Sequence, residues 1–315
     1  MSEKALRAAV IGVGHLGRHH ARILSSIEGA RLEAVVDVNE PRAREVAAAV
    51  GARALTSVLD LAGQVDLVSI ATPTETHAEI AALFLDQGVP VLVEKPLARS
   101  VAEADAIIAA ASRAGVALAV GHTERFNPAV IAARPAVDHP GFIEVHRLGT
   151  FPERSLDIDV VFDLMIHDLD LVLSIVQSDV ESFEAVGVPV LTDRFDIANA
   201  RLRFSSGCVA NITASRISRD RTRKIRFFQR DAYISIDTGA REAEVYRLVR
   251  TEGRRPAIEG GKIPVPEGEP LRLELQDFVD AVRFGRAPLV GGDDGRRAVA
   301  LAAAITERMA ACTRI

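Results

Sequence analysis

Residues 6–17 read LRAAVIGVGHLG, an apolar run that leads directly into glycines spaced as G-x-G-x-x-G. The run has the composition of a buried strand, and residues 15–27 carry apolar side chains at helical spacing. In such a turn Gly12 permits the tight bend, Gly14 lets a pyrophosphate approach the backbone, and Gly17 lets the helix pack on the strand. The helix N-terminus would add unpaired N–H groups and partial positive charge. The alternative is a glycine turn in an unrelated α/β fold.

Strands and helices alternate strictly up to residue 121. Five apolar strands are predicted at 6–11, 32–36, 65–71, 89–94 and 116–121, with helices between them. Strands that are apolar throughout indicate a parallel sheet covered on both faces, and right-handed crossovers make it doubly wound. The predicted fold class is therefore α/β in this part of the chain.

The pattern changes after residue 122. An apolar helix is predicted at 159–176, and short runs with strand character follow one another up to residue 249. These predict an α+β domain built on a mostly antiparallel sheet. We expect a loop at 252–270 and two helices at 273–284 and 296–312. The predicted domains are residues 1–122 and 123–315.

Length and composition exclude several classes of protein. A chain of 315 residues exceeds the size at which one core usually stops growing, so two domains are expected. With 26% charged residues, 48% hydrophobic residues and a net charge of −5, the chain is globular and suits neither nucleic acid nor a membrane surface. Cys208 and Cys312 lack disulfide or metal-site spacing, which favours a reducing cytoplasm.

Asp37 ends the second predicted strand, 20 residues after Gly17. A carboxylate at this position accepts hydrogen bonds from both hydroxyls of an adenosine ribose and repels a 2′-phosphate. NAD is therefore favoured over NADP, although Arg42 and Arg44 keep NADP open.

The fourth predicted strand ends in Glu94-Lys95-Pro96, and the third leads into residues 71–77, ATPTETH. In an open α/β sheet, ligands bind outside the carboxyl ends of the strands, so both segments are expected near the cofactor. A cis peptide before Pro96 is plausible. Lysine occurs only four times in a chain that otherwise uses arginine, which makes Lys95 a candidate for a chemical role.

Together these motifs resemble the Gfo/Idh/MocA family of nicotinamide-dependent sugar oxidoreductases. The resemblance covers essentially the whole chain and also includes GHTERFNP at 121–128, DLMIH at 163–167 and GDDGR at 292–296. It implies a Rossmann domain followed by a domain on a large, mostly antiparallel sheet. In this family that sheet commonly forms the oligomer interface, so a homo-dimer or homo-tetramer is expected.

The resemblance also implies a set of site residues. Those expected at the cofactor are Gly12, Gly14, His15, Leu16, Gly17, Asp37, Thr72, Pro73, Thr74, His77, Glu94, Lys95 and Arg125. Those expected at the substrate are Lys95, Arg125, Asn127, Asp163 and His167. Among them, Lys95, Asp163 and His167 are the implied catalytic residues, and no metal is expected.

Asp163 and His167 are four residues apart, which places them on one face of a helix. Alcohol oxidation needs a base for the hydroxyl proton, and histidine has the pKa nearest neutrality for this work. A nearby carboxylate can orient the imidazole. The helix alone leaves two alternatives, a hydrogen-bonded buried histidine and an Asp/His metal pair.

The run at 162–170, with 124–128 and 196–199, is similar to the UDP-N-acetylglucosamine 3-dehydrogenase branch of the family. Val160, Val161 and Met165 stand where many members have glycines, which argues against a polyol or free monosaccharide. The branch implies a sugar nucleotide oxidised at C3, a pathway aminotransferase, and a route to lipid A or polysaccharide. The alternatives are a dehydrogenase of another sugar or polyol, and a non-catalytic regulator that binds NAD and a sugar.

Six arginines and Lys224 lie between Arg216 and Arg230. Arginine matches the geometry of a diphosphate, but a solvated strand face or an oligomer contact explains the same run. The second explanation is preferred.

Overall fold

The computed structural model describes residues 5–151, 158–252 and 254–312. The chain divides into two compact units, residues up to Thr123 with Pro270–Val299, and Glu124–Glu269 with the residues from Ala300 onward. Within the described part of the chain, no helix is long and apolar enough to cross a bilayer.

The first unit is built on a six-stranded parallel sheet. Its elements are β1 (Leu6–Ile11), α1 (Gly17–Leu24), β2 (Ala30–Val36), α2 (Glu40–Val50), β3 (Arg53–Leu55), β4 (Leu67–Ile70), α3 (His77–Leu85), β5 (Val91–Glu94), α4 (Val101–Ala114) and β6 (Leu118–Gly121). The strand order is β3-β2-β1-β4-β5-β6, with every neighbouring pair parallel. The order reverses between β1 and β4, and ligands bind at such switch points. The predicted doubly wound sheet is confirmed.

The second unit is built on an eight-stranded sheet. Its elements are α5 (Pro128–Ala133), β7 (Phe142–Leu148), a π-helical turn (Val161–Met165), α6 (Ile166–Val176), β8 (Val180–Val188), β9 (Ile197–Phe204), β10 (Val209–Ser215), β11 (Thr222–Gln229), β12 (Ala232–Asp237), β13 (Glu242–Val249) and β14 (Ala257–Lys262). The order is β14-β13-β12-β11-β7-β10-β9-β8, and only the β7–β10 pair is parallel. The predicted mostly antiparallel sheet is confirmed.

Alternate residues of this sheet face its core, as period-two side chains require. On β7, Ile143, Val145 and Arg147 are buried, whereas Phe142 and Glu144 are only partly so. The π-helical turn contacts β10, and α5 contacts β12 and β13. One face of the sheet therefore carries the unit's core, and the other carries partly exposed side chains.

The last two helices are α7 (Pro270–Phe284) and α8 (Gly292–Cys312). The prediction assigned everything after residue 122 to the second domain, but α7 and the start of α8 belong to the first unit. The reason is apolar packing, because Leu275, Phe278 and Val279 are buried in one cluster with Val10 and Leu24 of the parallel sheet and α1. The structure also has two strands that were not predicted, the edge strands β3 and β14, the latter inside the expected 252–270 loop.

Candidate functional sites in the two units

The glycine turn of the first unit has the geometry that the sequence predicts. Gly12 has a φ of +80°, and a Cβ added there would lie 2.8 Å from the carbonyl oxygen of Ala71. A Cβ on Gly17 would lie 1.7 Å from the carbonyl oxygen of Gly12. At Gly14, in contrast, the nearest atom to an added Cβ is an Arg42 nitrogen at 4.0 Å. Gly12 and Gly17 are thus required by packing, while Gly14 faces open space.

The open space at Gly14 is a cleft of about 370 Å³. Its lining is Val13, Gly14, His15, Arg18, Arg42, Glu45 and Val46. His15 and Leu16 are exposed, and α1 begins at the next residue, Gly17. An open backbone beside a helix N-terminus fits the pyrophosphate and adenosine of NAD.

Asp37 lies beside this turn and is 7% exposed. Its Oδ2 accepts a hydrogen bond from the Val13 N–H at 3.0 Å, and its Oδ1 accepts one from the Asn39 N–H at 2.9 Å. The Arg42 guanidinium is 3.5 Å from Oδ2. A carboxylate has about four acceptor positions, so these contacts leave capacity for ribose hydroxyls.

The segment after β4 borders the glycine turn. The Thr72 methyl group would lie 2.8 Å from a Cβ on Gly12, and a short turn at Thr74–Thr76 follows Pro73. His77 was expected to contact the cofactor, but it is 1% exposed. Its Nδ1 is 3.0 Å from the Pro96 carbonyl oxygen and its Nε2 is 2.9 Å from that of Thr72. The buried His77 ring therefore lies between the turns at Thr72 and Pro96.

The Glu94-Lys95-Pro96 turn ends β5, and the Lys95–Pro96 peptide is cis, as predicted. Glu94 is 6% exposed and accepts a hydrogen bond from the Lys95 N–H at 3.1 Å through Oε2. Its Oε1 lies 3.0 Å from His20 Nε2. Burial acts to raise the pKa of Glu94, but the His20 hydrogen bond and the Lys95 charge outweigh it, so the pKa lies below its usual value.

In the second unit, Asp163 lies in the π-helical turn and His167 in the first turn of α6. Both side chains are partly buried. The sequence predicted one continuous helix over 159–176, whereas the structure interrupts it with i→i+5 bonding at Val161–Met165. Single π-helical turns of this kind occur frequently at functional sites.

Two arginines form ion pairs with buried aspartates of α6. Arg147 donates to both oxygens of Asp168 at 2.7 Å and to Glu124 at 2.9 Å. Arg125 donates to both oxygens of Asp170, at 2.7 and 2.8 Å. Burial alone would lower the pKa of Arg147, but the charges of Asp168 and Glu124 raise it. These bidentate pairs fix the helix that carries His167.

Arg125 and Asn127, which were predicted to contact the substrate, hydrogen-bond to other residues of the second unit. The Asn127 amide donates to the Thr238 carbonyl oxygen at 3.0 Å, and its Oδ1 caps α5 by accepting from the Ala129 N–H at 3.1 Å. The Arg125 side chain is 12% exposed and paired with Asp170. Both residues therefore hydrogen-bond within the second unit, and their contacts with substrate stay a prediction.

The arginine-rich segment between Arg216 and Arg230 does not form a uniform row of exposed cations. Arg216 is 1% exposed and donates to Asp196, to the Ile158 carbonyl oxygen and to Thr192. Arg226 pairs with Glu144 at 2.6 Å on the neighbouring strand. Across the described residues, no group of three or more His, Cys, Asp or Glu side chains is arranged to hold a metal ion.

Comparison with known proteins supports the fold described for each of the two units. Residues 6–122 match the oxidoreductase family with an NAD-binding Rossmann fold, and residues 141–235 match the GFO/IDH/MocA C-terminal domain. The UDP-N-acetylglucosamine 3-dehydrogenase of Acidithiobacillus ferrooxidans is 41% identical over 97% of each chain. Its crystal structure superposes with a TM-score of 0.91, covering 98% of this chain and 99% of that one. The scyllo-inositol 2-dehydrogenase of Bacillus subtilis is 29% identical, covering 91% of this chain and 89% of that protein. The chain belongs to the Gfo/Idh/MocA family of NAD-binding oxidoreductases.

Proposed function

We propose that this enzyme oxidises the C3 hydroxyl of UDP-N-acetylglucosamine to a ketone with NAD. The observation that carries the proposal is 41% identity over nearly the full length of a UDP-N-acetylglucosamine 3-dehydrogenase. The first unit (the predicted domain 1–122) would bind NAD, and the second would bind the sugar nucleotide. The product is a 3-keto sugar nucleotide, a substrate suited to a pathway aminotransferase on a route to lipid A or polysaccharide.

The glycine turn and Asp37 provide the cofactor site in this proposal. The open backbone at Gly14 and the N-terminus of α1 would hold the pyrophosphate, and Asp37 would hold the adenosine ribose. NAD, when bound, supplies the acceptor for the hydride that leaves C3. The buried Asp37 carboxylate favours NAD over NADP, because a 2′-phosphate would meet its negative charge.

Removal of the C3 hydroxyl proton is assigned in this proposal to three side chains, Lys95, His167 and Asp163. His167 would take the proton of the C3 hydroxyl as the base, and Asp163 would stabilise the resulting imidazolium. Lys95 would polarise the same hydroxyl with a compact charge and stabilise the developing alkoxide. The paired Asp168 and Asp170 support this assignment, because they hold the His167 helix rigidly.

There are two alternatives to this function: a dehydrogenase with a different substrate, and a protein that catalyses no reaction. The relationship to a scyllo-inositol 2-dehydrogenase favours a polyol or another sugar as the first alternative. The second is a regulator that binds NAD and sugar without turnover. A pure regulator has no need of Lys95, Asp163 and His167 together, so their joint presence favours an enzyme.

A homo-oligomer that forms through the eight-stranded sheet completes the proposal. The partly exposed face carries one aromatic row across four neighbouring strands, Phe142, Phe228, Tyr233 and Tyr246, with ring centroids 5.2–6.1 Å apart. Phe228 is 39% exposed. Rows of aromatic side chains are enriched in interfaces, and a second copy of the same face would cover this one. We place the enzyme in the cytoplasm, which suits its unpaired Cys208 and Cys312.

A substrate panel tests the function. NAD reduction should be measured with UDP-N-acetylglucosamine, free N-acetylglucosamine and scyllo-inositol, with an aminotransferase and amino donor added to remove the ketone. We expect kcat/KM to be highest for the UDP-sugar. Equal or higher kcat/KM for scyllo-inositol would select the polyol alternative, and NAD binding without turnover of any of them would select the regulator.

A further inference from the structure

A buried polar cluster lies directly behind the Lys95 turn. His20, on α1, is 0% exposed, and its Nδ1 is 2.8 Å from the hydroxyl of Ser69 on β4. Its Nε2 is 3.0 Å from Oε1 of Glu94 at the end of β5. An ionised carboxylate can only accept, so His20 Nε2 is the donor to Glu94. His20 thus connects the helix of the glycine turn to two strands.

The Glu94 carboxylate is fixed from several directions. His20 holds Oε1, and the Lys95 N–H donates to Oε2 at 3.1 Å. A Cβ added to Gly121 would lie 3.0 Å from this carboxyl group, so the neighbouring strand closes the remaining side. Burial is the largest single effect and raises the pKa of Glu94, but the His20 hydrogen bond, the nearby positive charge and the Lys95 N–H together outweigh it, so the pKa lies below its usual value. Glu94 is therefore an ionised anchor for the backbone of Lys95.

The opposite end of the turn is also anchored. His77 Nδ1 is 3.0 Å from the Pro96 carbonyl oxygen, and its Nε2 is 2.9 Å from that of Thr72. Lys95 thus follows Glu94, whose carboxylate contacts His20, and precedes Pro96, whose carbonyl oxygen contacts His77. Lys95 itself is partly exposed, whereas both histidines are buried.

We propose that His20 is a positioning residue for Lys95, acting through Glu94. The Nε2 arm of His20 fixes the carboxylate, the carboxylate fixes the Lys95 backbone, and the ammonium is thereby aimed at the substrate hydroxyl. The proposal rests on the proposed function for the role of Lys95 in chemistry. The Ser69 arm contacts the other ring nitrogen and does not touch Glu94, so we expect the two arms to differ in their consequences.

Two amide substitutions separate these arms. Glutamine at position 20 places a donor near the position of Nε2, whereas asparagine places a polar atom near Nδ1 and none near Glu94. H20Q should keep kcat close to that of the wild type, and H20N should lower kcat by about 10- to 100-fold, because misplaced catalytic groups cost up to this much. The Kd for NAD, measured by binding titration, should be unchanged in both. S69A should behave like H20Q.

A second measurement does not depend on the substrate. The rate at which an amine-acylating reagent modifies Lys95 should be measured by peptide mass spectrometry relative to Lys262, which is 63% exposed. We expect the Lys95 rate to change in H20N and in E94Q but to stay at the wild-type value in H20Q. Equal losses of kcat in H20N and H20Q, or an unchanged Lys95 rate in H20N, would overturn the proposal. Absence of turnover in the wild type with the expected Lys95 rates would instead contradict the proposed function alone.

Discussion

Replacement of Arg147 by methionine should destabilise the second unit strongly. Arg147 makes two hydrogen bonds of 2.7 Å to Asp168 and one of 2.9 Å to Glu124, and its side chain is only 6% exposed. Methionine fills the space of the aliphatic stem but removes every hydrogen bond that these two carboxylates receive from Arg147. Removing one partner of a buried ion pair costs about 3–5 kcal/mol, so the unfolding midpoint should fall by roughly 10 °C.

The matched control is R226M on the adjacent strand. Arg226 also pairs with a glutamate on β7, at 2.6 Å, but the two side chains are 30% and 29% exposed. Exposed pairs contribute about 0.2–1 kcal/mol, so R226M should lose no more than that. The double variant R147M/D168L should recover part of the R147M loss, because it no longer buries the unpaired Asp168 carboxylate.

Thermal unfolding measures the midpoint and urea unfolding the free energy, both followed by circular dichroism because the chain contains no tryptophan. Hydrogen exchange of peptides from residues 161–176 should accompany it, because a chain with two compact units need not unfold in one step. The reasoning is refuted if R147M loses no more free energy of unfolding than R226M.

Four further outcomes are expected. G17A should lose NAD binding in a titration, because its Cβ would overlap the Gly12 carbonyl oxygen, whereas G14A should fold and only bind more weakly; equal affinities would contradict this assignment. K95A and H167A should each lose turnover while keeping NAD affinity, and full activity in either variant would refute the proposed chemistry. The pKa of Asp196 is lowered, because hydrogen bonds from the Leu191 and Thr192 N–H groups and Arg216 outweigh burial. The wild type should therefore have a larger free energy of unfolding than D196N above about pH 5, and this difference should shrink as the pH falls below about 4. Urea titrations at several pH values measure it, and a difference that does not depend on pH would be inconsistent with this reasoning. Y233E with F228E should dissociate the oligomer in light scattering, while L59E on the first unit should not, and an unchanged mass would exclude this face.

The glycine turn shows what the sequence predicts well. Gly17 is constrained by the nearby Gly12 carbonyl oxygen, whereas Gly12 and Asp37 contact the more distant Ala71 and Val13. The glycine spacing after a strand, with a carboxylate at the end of the next strand, was nevertheless sufficient to predict this turn. The parallel, doubly wound sheet followed from alternation and handedness, but the strand β3 was not predicted. That strand has only three residues at the sheet edge, too few to produce a hydrophobic pattern.

The missed features depend on contacts between distant residues. Helix α7 joins the first unit because its apolar face packs on α1, which no local pattern reveals. The Arg147–Asp168 pair spans 21 residues, and the His20–Glu94 contact spans 74. The one local signal was a polar histidine on the buried side of α1, which marks a group that needs a partner. The interruption at Val161–Met165 has no such signal in the sequence.

Deuterium transfer from C3 tests the central claim most directly. The enzyme should be incubated with NAD and UDP-N-acetylglucosamine deuterated only at C3, and the NADH formed should be analysed by mass spectrometry. We predict that the deuterium appears in NADH and that the nucleotide-sugar product is the 3-keto compound. Undeuterated NADH formed from this substrate would show oxidation at another carbon, and no NADH with the aminotransferase present would contradict the assigned substrate.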